Sequence, residues 1–208
     1  TLGQLALTPK TVGGYTEVSR QLMLQSNPAI EALVFADLAK TLATAIDLAA
    51  IAGSGSGGQP TGILNTAAVG SVTGTSLDYA KVLEFQTDVA SAGGPMTPDA
   101  LAYVTTPAVA AMLKQRVAVA NTDSPLWEGS LHDGTVAGVR AMSSQQVPAA
   151  TMIAGAWDEL IVAEWGYLEL MSNPYANFQA GIIGLRAMQS VDIGVRRPAC
   201  FSVASSIT

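Results

Sequence analysis

Cysteine and histidine are nearly missing from this chain: Cys200 and His132 are the only ones in 208 residues. A single cysteine excludes a disulfide framework within the chain and a cysteine metal site. A single histidine excludes a histidine-cluster metal centre, and no GxSxG elbow is present to support Ser-His-Asp hydrolysis. Charge is scarce as well. Charged residues make up 12% of the chain, and the net charge is −6. An acidic balance excludes the usual nucleic-acid grip, which needs clustered Lys and Arg to displace counterions. Arg196-Arg197 is the one basic pair, and it reads as a solvated strand end before Pro198. No apolar run reaches membrane-spanning length, because Glu31, Asp37, Lys40 and Asp47 interrupt the most apolar helical stretch. No basic and apolar leader opens the chain, and Thr1 reads as the start of a processed or truncated product.

What remains is apolar. Hydrophobic residues make up 49% of the chain, and the mean hydropathy is +0.35. A lone subunit with so few charges has little polar surface with which to cover itself. Burial against copies of itself is the simplest remedy, so a homo-oligomer is expected. Cys200 then reads as a small buried hydrophobe near a strand end.

The central feature is the stretch from Asn27 to Asn65. Asn27 is a good N-cap and Pro28 fits the first helical position. Ile30, Val34, Leu38, Leu42 and Ile46 recur every four residues, with Leu33, Ala45 and Ala49 beside them. The spacing predicts one apolar stripe on a helix over 28–52, a rod about 37 Å long. Gly53 is its natural stop. The loop 53–58 reads as a flexible joint, followed by Gln59-Pro60-Thr61-Gly62-Ile63-Leu64-Asn65.

Elsewhere the pattern is coarser. Residues 1–20 read as extended, and 22–24 as the start of a short helix. Ser76-Leu77-Asp78 should cap a helix through Ala92, and Gly93-Gly94-Pro95 should end it. Residues 100–105 read as a buried strand, and Thr106-Pro107 should cap a third helix, 108–119. A polar loop is expected over 121–134. Strands are expected at 135–143 with an interruption at Gly138, at 151–156, at 160–165, at 167–171 after a break at Gly166, at 182–193 and at 199–204. Helices gather early and strands late, so the fold class is α+β.

Motifs that could carry chemistry do not assemble. Gly53, Gly55 and Gly58 spell GxGxxG, but a helix precedes them and Pro60 follows, where dinucleotide binding needs strand then helix. No Lys follows, so a Walker loop fails too. His132 beside Asp133 could serve as a general base; beside Gly134 in a polar loop, it reads better as a solvated residue. Asp158-Glu159, Glu164 and Glu169 read as turn and strand-edge charges. Trp157 and Trp165 default to core or subunit contact, and Trp127, in the polar loop, is the aromatic most expected at a contact. No catalytic, cofactor-binding or metal residue is assigned, and a small enzyme resting on the glycine loop and His132 stays as the opposing reading.

Several segments in order resemble a known family. They are Gly14-Tyr15-Thr16-Glu17-Val18-Ser19-Arg20-Gln21, Pro28 before the long helix, Ala45-Ile46-Asp47, and Gly53 with Gly55 before Gln59-Pro60-Thr61-Gly62-Ile63-Leu64. Ala102-Tyr103-Val104-Thr105-Thr106-Pro107, Trp127-Glu128-Gly129, Val136-Ala137-Gly138-Val139-Arg140 before Val147-Pro148, Ala154-Gly155-Ala156-Trp157 and Val195-Arg196-Arg197-Pro198-Ala199-Cys200-Phe201 follow. Across essentially the whole chain this is similar to the major capsid proteins of tailed bacteriophages, with the HK-ninety-seven-type fold. The resemblance implies a structural shell subunit. It implies a peripheral domain (1–65 and 160–192) carrying the spine helix 28–52, and an axial domain (66–159 and 193–208). It implies assembly into pentamers and hexamers that enclose DNA, in a virion built in the bacterial host cytoplasm. It assigns no membrane and no small-molecule substrate. An encapsulin-like bacterial nanocompartment enclosing a cargo protein is the related alternative.

By the same resemblance, Asn121, Asp123, Leu126, Trp127, Glu128 and His132 would form axial tip contacts. Glu17 and Arg20 on the arm, with Asp37 and Lys40 on the spine helix, would meet neighbours at the capsomer edge. The family's N-terminal arm and most of its extended loop have no counterpart, so the chain reads as trimmed. Asn177 lies where some members carry a cross-linking asparagine. The loop lysine that would react with it has no counterpart, so no cross-link is expected.

Overall fold

The computed structural model describes residues 4–25, 29–95, 97, 100–118, 124–177 and 179–208. Two sheets organise them. Strand β1 (Lys10–Ser19), the 18-residue β8 (Leu160–Asn177) and β9 (Ile182–Val195) form an antiparallel sheet in the order β1-β9-β8. The other seven strands form a mixed sheet in the order β2-β10-β7-β3-β6-β5-β4. They are β2 (Gly70–Thr73), β3 (Leu101–Thr105), β4 (Trp127–Gly129), β5 (Asp133–Val136), β6 (Val139–Ser143), β7 (Met152–Ala156) and β10 (Phe201–Ser205).

Four helices accompany the sheets. Helix α1 (Arg20–Gln25) is short. Helix α2 (Ala29–Ala52) has 24 residues and a length of ~36 Å. It lies across β1 and β9. Contact is close because β1 offers no side chain at Gly14: a Cβ there would sit 3.2 Å from both Leu38 and Leu42. The expected stripe therefore faces the sheet, but it is only partly sealed, with Val34, Leu38, Ala45, Ile46 and Ala49 half-buried. Leu42, Ala50 and Ile51 are buried, while Leu33 and Leu48 are exposed. The expected caps Asn27 and Pro28 lie outside the described residues.

Helices α3 (Tyr79–Ser91) and α4 (Pro107–Gln115) cover one face of the larger sheet. Asp78 caps α3 by accepting from Lys81 N, and Thr106 caps α4 by accepting from Val109 N. Strand alternation divides the core. Leu101, Tyr103, Met152 and Ala154 face α3 and α4. Val104, Ile153 and Phe201 face the other way, where they meet Ile51 at the end of α2 and Ile63. That second cluster joins the spine helix to the larger sheet.

Four expectations need correction. The glycine loop is not a loose joint. Gly53 N bonds Ala49 O at 2.9 Å, Gly62 N bonds Gly53 O at 2.9 Å, and Gly55 N bonds Pro60 O at 3.0 Å, folding the segment back on the helix end. Helix α4 stops at Gln115, not 119. Arg116 turns extended there, and its guanidinium reaches Leu77 O at 2.6 Å and Thr208 O at 2.5 Å. The strand expected over 135–143 is a hairpin, β5 to β6, turning at Ala137 and Gly138, both with positive φ. Gly166 does not end a strand. It sits with φ +76° in a bulge inside β8, where the register steps from Trp165–Ser190 to Glu169–Met188.

Candidate assembly interface

The residues expected at subunit contacts separate into distinct environments. Asn121 and Asp123 lie outside the described residues. Leu126 and Trp127 were expected at the surface, and the structure corrects both. Trp127 has no exposed surface, and Leu126 is buried beside it. The reason is local: residues 127–129 form the edge strand β4 against β5, turning the indole into the core under α4. Its Nε1 donates to Ser130 O at 2.6 Å, which satisfies the one polar atom of the ring.

Glu128 and His132 are exposed. Ser124 Oγ donates to Glu128 Oε1 at 3.5 Å, and His132 contributes its carbonyl oxygen to Ser143 N at 3.0 Å. None of the four cavities lined by Lys10, Ser76, Ala39 or Tyr79 includes His132. Glu17 is exposed on β1 and accepts from Tyr15 Oη at 3.0 Å; that bond, with the carboxylate charge, pushes the Tyr15 phenol up. Arg20 N bonds Gly181 O at 2.9 Å and its side chain faces solvent. Asp37 and Lys40 lie one turn apart on α2 with a loose 3.9 Å ion pair, both largely exposed. A pair so wet adds little stability. The polar members are thus available at the surface, on three separate parts of the fold.

A further exposed apolar surface lies elsewhere, on a strand whose exposure local sequence does not reveal. Strand β8 pairs with β9 on one edge only among the described residues. It carries Ile161, Val162, Trp165, Leu170 and Met171 at least one-third exposed, and Tyr167 is 93% exposed at the bulge. Glu164 and Glu169 are its only charges. Solitary exposed apolar residues are ordinary; several on one strand make it a candidate contact surface. The signal was present in the sequence: apolar residues at both strand parities, which a strand with one solvated face avoids.

A cleft of about 430 Å³ opens between the C-terminal half of α2, the folded-back glycine segment and the start of β1. Ile46, Leu48, Ala49, Val12 and Pro60 line it, with Lys10 as its one charged residue. Lys10 Nζ is committed to Asp192 Oδ1 at 2.8 Å. Asp192 also accepts from the amides of Thr8 and Ile193. Burial pushes its carboxyl up, but Lys10 and the two amides outweigh that and hold it below the usual range. Gly53 is in close backbone contact: a Cβ there would sit 2.3 Å from Pro60 O. The segment closes the helix end. Asn65 Nδ2 donates to Ala52 O at 3.2 Å and to Gly53 O at 2.9 Å, satisfying terminal carbonyls that the helix cannot.

Among the described residues, no group of three His, Cys, Asp or Glu side chains gathers as a metal site, and no helix is long and apolar enough to cross a membrane.

Comparison with known proteins bears on this arrangement. The model of the phage capsid family matches residues 1–205. The major capsid protein of Halomonas phage phiHAP-1 is 29% identical over 203 residues, covering 97% of this chain and 33% of that protein. The chain therefore spans about a third of the length of the curated relative it matches. Among solved structures, the capsid of an empty GTA particle aligns with a TM-score of 0.77 at 19% identity, covering 97% of this chain and 73% of that one. The holo-SrpI encapsulin complex from Synechococcus elongatus aligns with a TM-score of 0.72 at 13% identity, covering 96% and 74%. These likenesses establish the fold, the HK-ninety-seven-type α+β fold that the sequence resembled.

Proposed function

The chain belongs to the phage capsid family, and on that premise we propose that it is a structural subunit of a bacteriophage or prophage icosahedral shell. The family match across residues 1–205 carries this reading. Copies join as pentamers and hexamers, and many weak repeated contacts sum to a closed particle. The shell encloses DNA without reading its sequence, as suits a net charge of −6. Assembly takes place in the host cytoplasm, and the subunit performs no reaction.

Residues 1–65 and 160–192 make the peripheral domain, and 66–159 with 193–208 the axial domain. The division of strands supports this: β1, β8 and β9 form one sheet, and every strand between β2 and β7, with β10, forms the other. Glu128 and His132 belong to the axial contacts, with Asn121 and Asp123 near them in sequence. Glu17, Arg20, Asp37 and Lys40 belong to the peripheral contacts. The exposed apolar residues of β8 join the peripheral set, because burying them gives the hydrophobic drive that exposed charges lack.

Negative-stain electron microscopy of particles recovered from an expressing bacterium tests this. Five-fold or six-fold rings or closed shells protecting nucleic acid from nuclease are expected. Shells filled with a co-purifying protein instead would favour the nanocompartment reading, which the encapsulin alignment keeps in view. Absence of any ring or shell would overturn both.

A further inference from the structure

The chain passes between its two sheets three times, and two of the passages run side by side. One is the turn Trp157–Glu159 between β7 and β8; the other is residues 196–200 between β9 and β10. Arg196 N donates to Glu159 O at 2.9 Å, directly beyond the last rung of the β8–β9 ladder, Leu160–Val195. The Glu159 side chain turns inward and is 8% exposed. Its Oε1 receives Arg197 Nη2 at 2.5 Å. Arg197 Nη1 reaches on to Gly93 O, at the end of α3, at 3.4 Å. The carboxylate thereby connects the turn at the root of β8 with a helix packed on the other sheet.

Among the described residues, Oε2 is buried without a hydrogen-bond partner. Arg196 Nε stands 3.9 Å from it, beyond hydrogen-bond reach, on a side chain that is 68% exposed. Nearly all buried polar atoms find partners, so a half-satisfied carboxylate at a joint calls for an explanation. A packing role would be met better by an apolar residue of similar size. A charge kept here supplies direction: the guanidinium must stay in one place relative to the turn.

We propose that Glu159 is a latch that holds the two sheets in one mutual orientation, acting through Arg197. Its partner set spans both sides of the joint, and breaking it frees rotation at the paired passages without unfolding either sheet. Two neighbours set the limits of that motion. Trp157 Nε1 donates to Ala102 O at 3.0 Å, and its ring meets Phe201 edge-on at 5.8 Å. These contacts, with the buried cluster of Ile51, Val104, Val195 and Phe201, keep the joint closed. If the chain is a shell subunit, as proposed above, the latch sets the angle at which one subunit meets the next. The test uses the unassembled chain, so it does not depend on that reading.

Spin labels at Lys40→Cys on α2 and Glu84→Cys on α3, both at exposed positions, report the distance between the two units. Glu159→Gln and Arg197→Gln are each expected to broaden the distance distribution about twofold, and the double variant no further, because both act through one contact. Asp133→Asn, which breaks an exposed ion pair with Arg140 on β5, away from the joint, is the control. If Glu159→Gln fails to fold, Arg197→Gln decides alone. A distribution of unchanged width, with melting temperature lowered or not, would assign the pair to local stability and overturn the latch. Broadening that is additive in the double variant would overturn it too.

Discussion

The ring of Phe201 lies directly on the α-carbon of Gly155, its partner in the β7–β10 ladder. A Cβ on Gly155 would stand 2.2 Å from Phe201 Cδ1. The ring sits fully buried in the cluster that joins the spine helix to the larger sheet. Gly155→Ala must therefore displace the ring or the strand. It is expected to cost about 2–3 kcal/mol, read as a lowered midpoint in chemical denaturation.

The folded-back segment gives a second expectation. Asn65→Ala removes both side-chain donors from Ala52 O and Gly53 O and should destabilise by about 1–2 kcal/mol. Gly53→Ala should do worse, because the clash is with backbone oxygens at 2.3 and 2.5 Å that cannot swing aside. Hydrogen exchange over 49–53 should rise in Asn65→Ala before the larger sheet is affected. Unchanged exchange there would show that the end of α2 needs no cap.

These two sites mark what the sequence made legible. Helix α2 was visible because its apolar residues repeat at helical spacing over many turns. The caps Asp78 and Thr106 were visible because their chemistry is local. The close approach of Gly53 to Gly62 was not, since a run of small residues reads as flexible until its hydrogen bonds are known. The burial of Trp127 is not legible locally either. Its neighbours are polar, and only the pairing of β4 with β5 turns the ring inward. Arg116 ends α4 through bonds to Leu77 and Thr208, far away in sequence, and no local rule foresees them. Of the contact residues, the exposed charges were legible as surface. The apolar strand β8 was read as a strand and not as a contact, because the uncovered edge is a property of sheet order.

Titration should weaken the fold at both extremes of pH. The Arg197 guanidinium beside Glu159 holds its carboxyl below the usual range. Asp192 is also lowered: Lys10 and two amides outweigh its burial. A carboxyl with a folded pKa below its unfolded value stabilises above about pH 4 and loses that contribution as the pH falls through the folded value. Burial acts oppositely on Tyr103. Its phenol, which donates to Val82 O at 3.1 Å, is pushed up to about 12. Its contribution is complete below about pH 10 and disappears as the pH rises towards the folded value. Melting temperature against pH should fall below about pH 4, less steeply in Asp192→Asn, and above about pH 10, less steeply in Tyr103→Phe.

Contact surface and fold stability should separate at β8. Tyr167→Asp places a charge on a side chain that is 93% exposed, at a bulge that already lies off the ladder. Melting temperature should change within about 0.5 kcal/mol equivalent, as for other surface changes, while association is lost. Loss of both together would mean that Tyr167 supports the sheet and not a neighbour.

Sedimentation velocity of the purified chain across a wide concentration range tests self-association most directly. The account predicts a concentration-dependent shift to species with the mass of five or six subunits and larger. A single monomer boundary at every concentration, with β8 still accessible to chemical labelling of Tyr167, would contradict it.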